Sequence, residues 1–249
     1  MRKIVIGNWK MHGEPAMAHT LALQVADAAD ARADVVEVVL CPPSILIAQV
    51  ATWLVGSAVK TGGQDCHGEA EGAFTGDTSA AMLKQAGCKY VLAGHSERRL
   101  YHHETNEDIR RKAARAIEAG LVPVICIGET AREREDGRTL EVLAAQIREC
   151  IPGGVNSHNF ILAYEPVWAI GSGRTPTVDD IRQIHAYIKD RTAEHAGLDA
   201  GGIQLLYGGS VKAGNAGEIM GTPGVSGVLV GGASIVAEEF CKIVAAVPV

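Results

Sequence analysis

Aromatic residues are scarce: three Trp, five Tyr and three Phe make up 4% of 249 residues. Together with five Met they form no stripe that would suggest a cofactor box. Positive charge is in deficit, with 23 Lys and Arg against 29 Asp and Glu, and the net charge of -6 offers no basic field to nucleic acid or an anionic membrane. No apolar run approaches the roughly 18 residues of a membrane span. The start, Met1 to Gly7, turns polar too soon for a secretory signal. Cysteine is present at 41, 66, 88, 126, 150 and 241, without a C-x-x-C or any zinc-ligand spacing, so the six read as free thiols of a reducing cytoplasm. A G-x-G-x-x-G turn is also missing. After the first apolar run stands Gly7-Asn8-Trp9-Lys10, which argues against an open dinucleotide-binding sheet.

What is there is a regular alternation. With 47% hydrophobic residues the chain can bury a large core. Short, β-branched, almost continuously apolar runs cover 3–9, 35–41, 58–63, 89–95, 121–128, 159–165, 203–209 and 224–231, as strands covered on both faces must be. Longer amphipathic runs separate them: 16–29, 44–54, 79–86, 105–119, 139–150, 178–195, 213–220 and 234–247. Hydroxyl residues Ser44, Thr105 and Thr177 stand at helix-start positions, and Gly87 and Gly120 follow helices as left-handed caps. Eight βα units with no break in composition predict one α/β domain over 1–249: a single (β/α)8 barrel of eight parallel strands with an outer ring of helices.

Active sites of such barrels lie at the C-terminal ends of the strands. The polar residues there are Asn8 and Lys10 after the first run, His95, Ser96 and Glu97 after the fourth, and Glu165 after the sixth. Glycine turns Gly208-Gly209-Ser210 and Gly231-Gly232 follow the seventh and eighth. Such turns let backbone N–H groups approach an anion closely, without a Walker lysine. Glu165 ends an apolar run and meets Pro166, so partial desolvation would raise its basicity. The segment from Pro166 to Pro176, with Trp168 inside and Gly171 and Gly173 near its far end, has the composition of a movable lid. His95 precedes a helical turn begun by Ser96, whose N-terminus disfavours imidazolium, so a neutral ring can donate to a substrate oxygen. Lys10 can neutralise a developing oxyanion. Together these groups suit proton abstraction beside a carbonyl and need no metal or cofactor. Cys126 is read mainly as packing, 132–136 as a solvated, salt-bridged stretch, and His102-His103-Glu104 as surface rather than metal ligands.

Asn8-Trp9-Lys10-Met11, Gly94-His95-Ser96-Glu97-Arg98-Arg99, Cys126-Ile127-Gly128-Glu129, Ala163 to Gly171, Tyr207-Gly208-Gly209-Ser210-Val211 and Gly231-Gly232-Ala233-Ser234 occur in that order around the eight units. Over its whole length the chain thereby resembles the triosephosphate isomerases. The resemblance implies interconversion of dihydroxyacetone phosphate and D-glyceraldehyde 3-phosphate in glycolysis and gluconeogenesis. It implies Glu165 as base, His95 as electrophile, Lys10 and Asn8 on the substrate, and Glu97, Ser96 and Cys126 in support. Gly171, Ser210, Gly231 and Gly232 would hold the phosphate. The lid would comprise Pro166, Val167, Trp168, Ala169, Ile170, Gly171, Ser172, Gly173, Arg174, Thr175 and Pro176. A cytoplasmic homodimer is implied too, with Met11 and His12 at the interface and the aperiodic loop from Asp65 to Asp77 carrying Phe74 and Thr75 into the partner.

Two positions depart from the family's pattern. His12 stands where asparagine is common, and the lid reads Gly-Ser-Gly-Arg-Thr where Gly-Thr-Gly-Lys is common. An isomerase for a four-carbon sugar phosphate is the near rival, disfavoured by the short lid. A catalytically dead barrel would have lost Glu165, His95 or Lys10. A metal-dependent epimerase would need His and Asp ligands at several strand ends, where only His95 qualifies.

Overall fold

The computed structural model describes residues 2–170 and 176–248. Eight parallel strands close into a barrel in sequence order. They are β1 (Lys3–Asn8), β2 (Val36–Cys41), β3 (Lys60–Gly63), β4 (Cys88–Ala93), β5 (Val122–Ile127), β6 (Ile161–Tyr164), β7 (Leu205–Tyr207) and β8 (Gly227–Val230). The helices are α1 (Pro15–Asp30), α2 (Ile47–Trp53), α3 (Ala80–Gln85), α4 (Ser96–Tyr101), α5 (Asn106–Glu118), α6 (Ala131–Glu135), α7 (Thr139–Cys150), α8 (Val178–Ala196), α9 (Ala213–Gly221) and α10 (Ala237–Ala245).

The strands are mostly apolar because each of their faces meets protein. One set of alternating residues, including Ile4, Ile6, Val39, Leu92, Val124 and Leu206, fills the barrel. The other set, including Val5, Val38, Leu40, Ile125, Leu162 and Val228, packs under the helices. The barrel closes where Ile4 pairs with Gly227. A Cβ on Gly227 would lie 1.9 Å from the Ile4 carbonyl oxygen, so only glycine permits this seam.

Several local expectations change. The expected helix over 44–54 divides into a 3₁₀ turn, Ser44–Leu46, and α2. Ser44 caps nothing, because Pro43 takes the cap position and draws Ser44 into the turn. Thr105 and Thr177 do cap α5 and α8, each in a reciprocal capping box with an Asp. Strands β6, β7 and β8 are shorter than their apolar runs. Pro166 and the glycines turn the chain, and Glu165 and Gly208 stand just beyond the ladder. The 132–136 stretch forms most of a short helix of its own, α6, capped by Thr130.

Candidate active site

β1, β4 and β6 each end at one mouth of the barrel, and each delivers a polar side chain there. Asn8, the last residue of β1, is buried, and its Oδ1 accepts the Lys10 N–H at 3.0 Å. That bond holds Lys10 in a left-handed backbone conformation, φ 54°, unusual for a lysine. Gln64 clamps the same turn by donating to the Lys10 carbonyl at 2.8 Å and the Cys41 carbonyl at 2.9 Å. The Lys10 ammonium is thereby aimed across the mouth, 2.5 Å from Glu97 Oε1. Gly231 leaves it room, since a Cβ there would sit 3.1 Å from Lys10 Cε.

His95 occupies the N-cap of α4 and is 7% exposed. Its Nδ1 accepts the Glu97 N–H at 3.3 Å, and its Nε2 lies 3.0 Å from Glu165 Oε1. Burial lowers the imidazole pKa, but the charge and hydrogen bond of Glu165, with Glu97 beyond, outweigh it and leave a net upward shift. The helix N-terminus is therefore not the only influence on this ring. The geometry still fits a neutral ring, because an Nδ1 that accepts leaves the proton on Nε2.

Glu165 is 2% exposed, and both its oxygens have donors nearby. Oε1 faces His95, and Oε2 accepts the Ser96 N–H at 2.8 Å. Its backbone is held as tightly, its N–H donating to the Ile127 carbonyl at 2.8 Å. Cys126 is fully buried, and burial and then Glu165 push its thiol pKa far up, so it packs as a neutral group.

Asn8, Lys10, His95 and Glu165 line a cavity of about 510 Å³. Gly208, Gly209, Ser210, Gly231 and Gly232 of the glycine turns line it beside them, as does Ile170. A second recess of about 330 Å³ adjoins it, between Lys10, Met11, Gln64, Glu97 and Tyr101. Met11 and His12 are exposed beside it. Phe74 is half-exposed with its ring on His67, centroids 4.0 Å apart, and Thr75 is exposed next to it.

Of the lid, Pro166 to Ile170 and Pro176 are described, with a 3₁₀ turn over Val167–Ala169. Gly171, Ser172, Gly173, Arg174 and Thr175 lie outside the described residues.

A family model described as triosephosphate isomerase matches residues 3–247. A relative of that name from Chelativorans sp. (strain BNC1) is 48% identical, with 99% of this chain and 97% of that protein covered. Another, from Afipia carboxidovorans, is 47% identical over 100% of this chain and 98% of its own length. The crystal structure of triosephosphate isomerase from Bartonella henselae superposes with a TM-score of 0.90 at 39% identity, covering 98% of each chain. The chain belongs to the triosephosphate isomerase family.

Glu129 stands in one of the sequence motifs, but nothing in the sequence reveals its task. In this family member it is a fully buried carboxylate at the root of the lid segment. It accepts from the Tyr164 hydroxyl at 3.1 Å and from Trp168 Nε1 at 2.8 Å. Arg134, expected within a solvated, salt-bridged stretch, is indeed ion-paired but turned inward: it covers the Trp168 ring at 4.2 Å and lies 3.6 Å from Glu129. Its guanidinium neutralises a carboxylate that burial would otherwise strand. Glu104, expected at the surface, has its side chain tucked against Arg98 and Lys112. His102 and His103 are exposed, as the sequence suggests. Gln64 went unremarked, and Gly128 stood in the same motif as Glu129 without a task. Their only sequence signal is identity, since their role is to touch backbone from distant parts of the chain.

Proposed function

We propose that Glu165, His95 and Lys10 perform the isomerisation in this chain. Its family membership makes it a triose-phosphate isomerase (EC 5.3.1.1), an intramolecular oxidoreductase that interconverts dihydroxyacetone phosphate and D-glyceraldehyde 3-phosphate in glycolysis and gluconeogenesis. The observation that carries the assignment is the convergence of Glu165 and His95, 3.0 Å apart, on a cavity that the glycine turns also line.

Substrate phosphate lies against Ser210, Gly231 and Gly232, with Gly171 closing over it. Backbone N–H groups of such turns hold an anion without a metal. Its carbon chain then reaches between Glu165 and His95. Glu165 leaves the Ser96 N–H and takes a proton from the carbon beside the carbonyl. His95 donates its Nε2 proton as a hydrogen bond to the carbonyl oxygen, where negative charge collects. Lys10, held by Asn8, Gln64 and Glu97, stabilises that oxyanion. As the hydroxyl proton of the first carbon passes by way of His95 to the former carbonyl oxygen, Glu165 returns its own proton to the neighbouring carbon, and the other triose phosphate results. Closure of the lid from Pro166 to Pro176 excludes water while the enediolate exists.

The same proposal includes a cytoplasmic homodimer. Met11 is 94% exposed, Ile45 87%, Met82 56% and Tyr101 70%, an apolar set that supports burial against a second copy. The recess beside Lys10 supports entry of the partner's loop around Phe74 and Thr75. The free cysteines, five of six buried, support a reducing compartment.

A coupled assay with glyceraldehyde 3-phosphate, run with and without chelator, tests the chemistry. Turnover that survives chelator and collapses in Glu165→Gln supports it, and full activity in that variant refutes the assignment of the base. Sedimentation across micromolar concentrations tests the dimer, and a monomer throughout refutes it.

A further inference from the structure

Among the described residues, the charges around the active-site cavity leave one cation without a task. Four ionic side chains among the described residues line the cavity: Lys10, Glu165, Lys212 and Glu239. Lys10 is engaged by Glu97 at 2.5 Å, and Glu165 by His95 and Ser96. Glu239 turns an oxygen to the Ala213 N–H at 3.4 Å, which keeps a negative charge on the wall beside the glycine turns. Lys212 is exposed at the rim and, among the described residues, enters no ion pair.

Its backbone, by contrast, is fixed. Lys212 is the N-cap of α9 in extended conformation, φ -137°. Its N–H donates to Asn215 Oδ1 at 2.8 Å, and Asn215 Nδ2 donates back to the Ser210 carbonyl at 3.0 Å. The lysine is thus carried on the same pinned turn as Ser210, two residues away. A free cation on a rigid mount at the mouth of an acidic protein is placed to act on an anion that arrives from solvent.

We infer that Lys212 is the capture cation for the phosphate dianion: it offsets Glu239, draws the phosphorylated triose to the Ser210 turn, and favours dianionic over less charged ligands. The inference rests on the reading that this turn holds the phosphate. A solvated rim lysine with no role would leave the ionic-strength dependence of capture unchanged, and this distinguishes the two cases.

The size follows from charge and an assumed separation. One positive charge about 8 Å from a dianion in water changes its local concentration about fivefold, falling to about twofold near physiological salt. The test compares wild type, Lys212→Met and Lys212→Glu in steady-state assays from low to high ionic strength, with inorganic phosphate as a simple anionic inhibitor. Lys212→Met is expected to lower kcat/KM about fivefold at low salt, with the loss falling on KM and shrinking to less than twofold at about 0.3 M. Lys212→Glu doubles the charge change and loses about twenty-fold under the same low-salt conditions. The inhibition constant for inorganic phosphate rises in step.

Equal losses at every ionic strength mean a damaged turn and overturn the inference, as does a wild-type salt slope in Lys212→Met. Ser210→Asp keeps the two readings apart. If it leaves phosphate inhibition intact, the turn does not hold phosphate and both readings fall. If it abolishes inhibition while Lys212→Met keeps the wild-type slope, only the role of Lys212 falls.

Discussion

Replacing Gly128 by Ala tests how the backbone places the base. Gly128 follows β5, and its backbone conformation is open to any residue. The obstacle is spatial: a Cβ built there lies 1.8 Å from the Glu165 carbonyl oxygen and 2.6 Å from its carbonyl carbon. Real Cβ contacts essentially never fall below 3.0 Å, so one of the two segments must move by more than an ångström. Neither is free to do so. The Gln146 side chain brackets Gly128, accepting its N–H at 2.7 Å and donating to its carbonyl at 3.1 Å. The Glu165 N–H donates to the Ile127 carbonyl at 2.8 Å, and the Val167 N–H to the Glu129 carbonyl at 3.1 Å. Each buried bond that breaks costs about 1–3 kcal/mol. Displacing a catalytic group by about 1 Å costs on the order of 10²-fold in rate. The expected variant folds with a lower Tm and has kcat reduced about 10²-fold. Gly153→Ala is the comparison, because a Cβ there meets nothing within 4 Å. Circular dichroism gives Tm, and the coupled assay gives kcat. A Gly128→Ala enzyme within threefold of wild type, with Glu165 unmoved in its crystal structure, would refute the reasoning.

Other outcomes follow from the same geometry. Glu165→Gln keeps the shape and removes the base, so kcat should fall about 10²–10⁴-fold or more while substrate binding, measured by equilibrium titration, survives better. Lys10→Met should harm both affinity and rate, and unchanged kinetics at low ionic strength would make Lys10 a bystander. Deleting 170–173 should leave the barrel folded but let the enediolate escape and eliminate phosphate, read as inorganic phosphate released per isomerisation. Burial holds the His185 pKa down at about 3, against 6.5 for a free imidazole. The folded protein then binds fewer protons than the unfolded chain between those values, so stability is full above about pH 6.5 and is lost as pH falls towards 3, by up to about 1.4 kcal/mol per pH unit. Denaturation of His185→Gln across that range should show a shallower acid limb, and an identical limb would remove His185 as its cause.

Much of the architecture was legible in the chain by itself. Alternating apolar runs specify eight buried strands, because a strand covered on both faces has no polar side to reveal. Thr105 and Thr177 announce their helices, because a cap is a contact between residues three apart. The polar residues at the strand ends, Asn8, Lys10, His95 and Glu165, stood out because the barrel rule concerns position along the chain. What only the tertiary structure decided were relations between distant backbones and charges. Gln64 clamps Lys10, Gly128 yields space to Glu165, and Arg134, legible only as part of a salt-bridged stretch, finds its partners in Trp168 and Glu129. The balance at His95 belongs here too. The sequence places it at a helix start, which favours a neutral ring, but the opposing push comes from Glu165, 70 positions away and 3.0 Å distant once the barrel has closed. Local pattern reports what a residue does to its own segment. Strength and direction of a charge depend on what folding brings within a few ångströms of it.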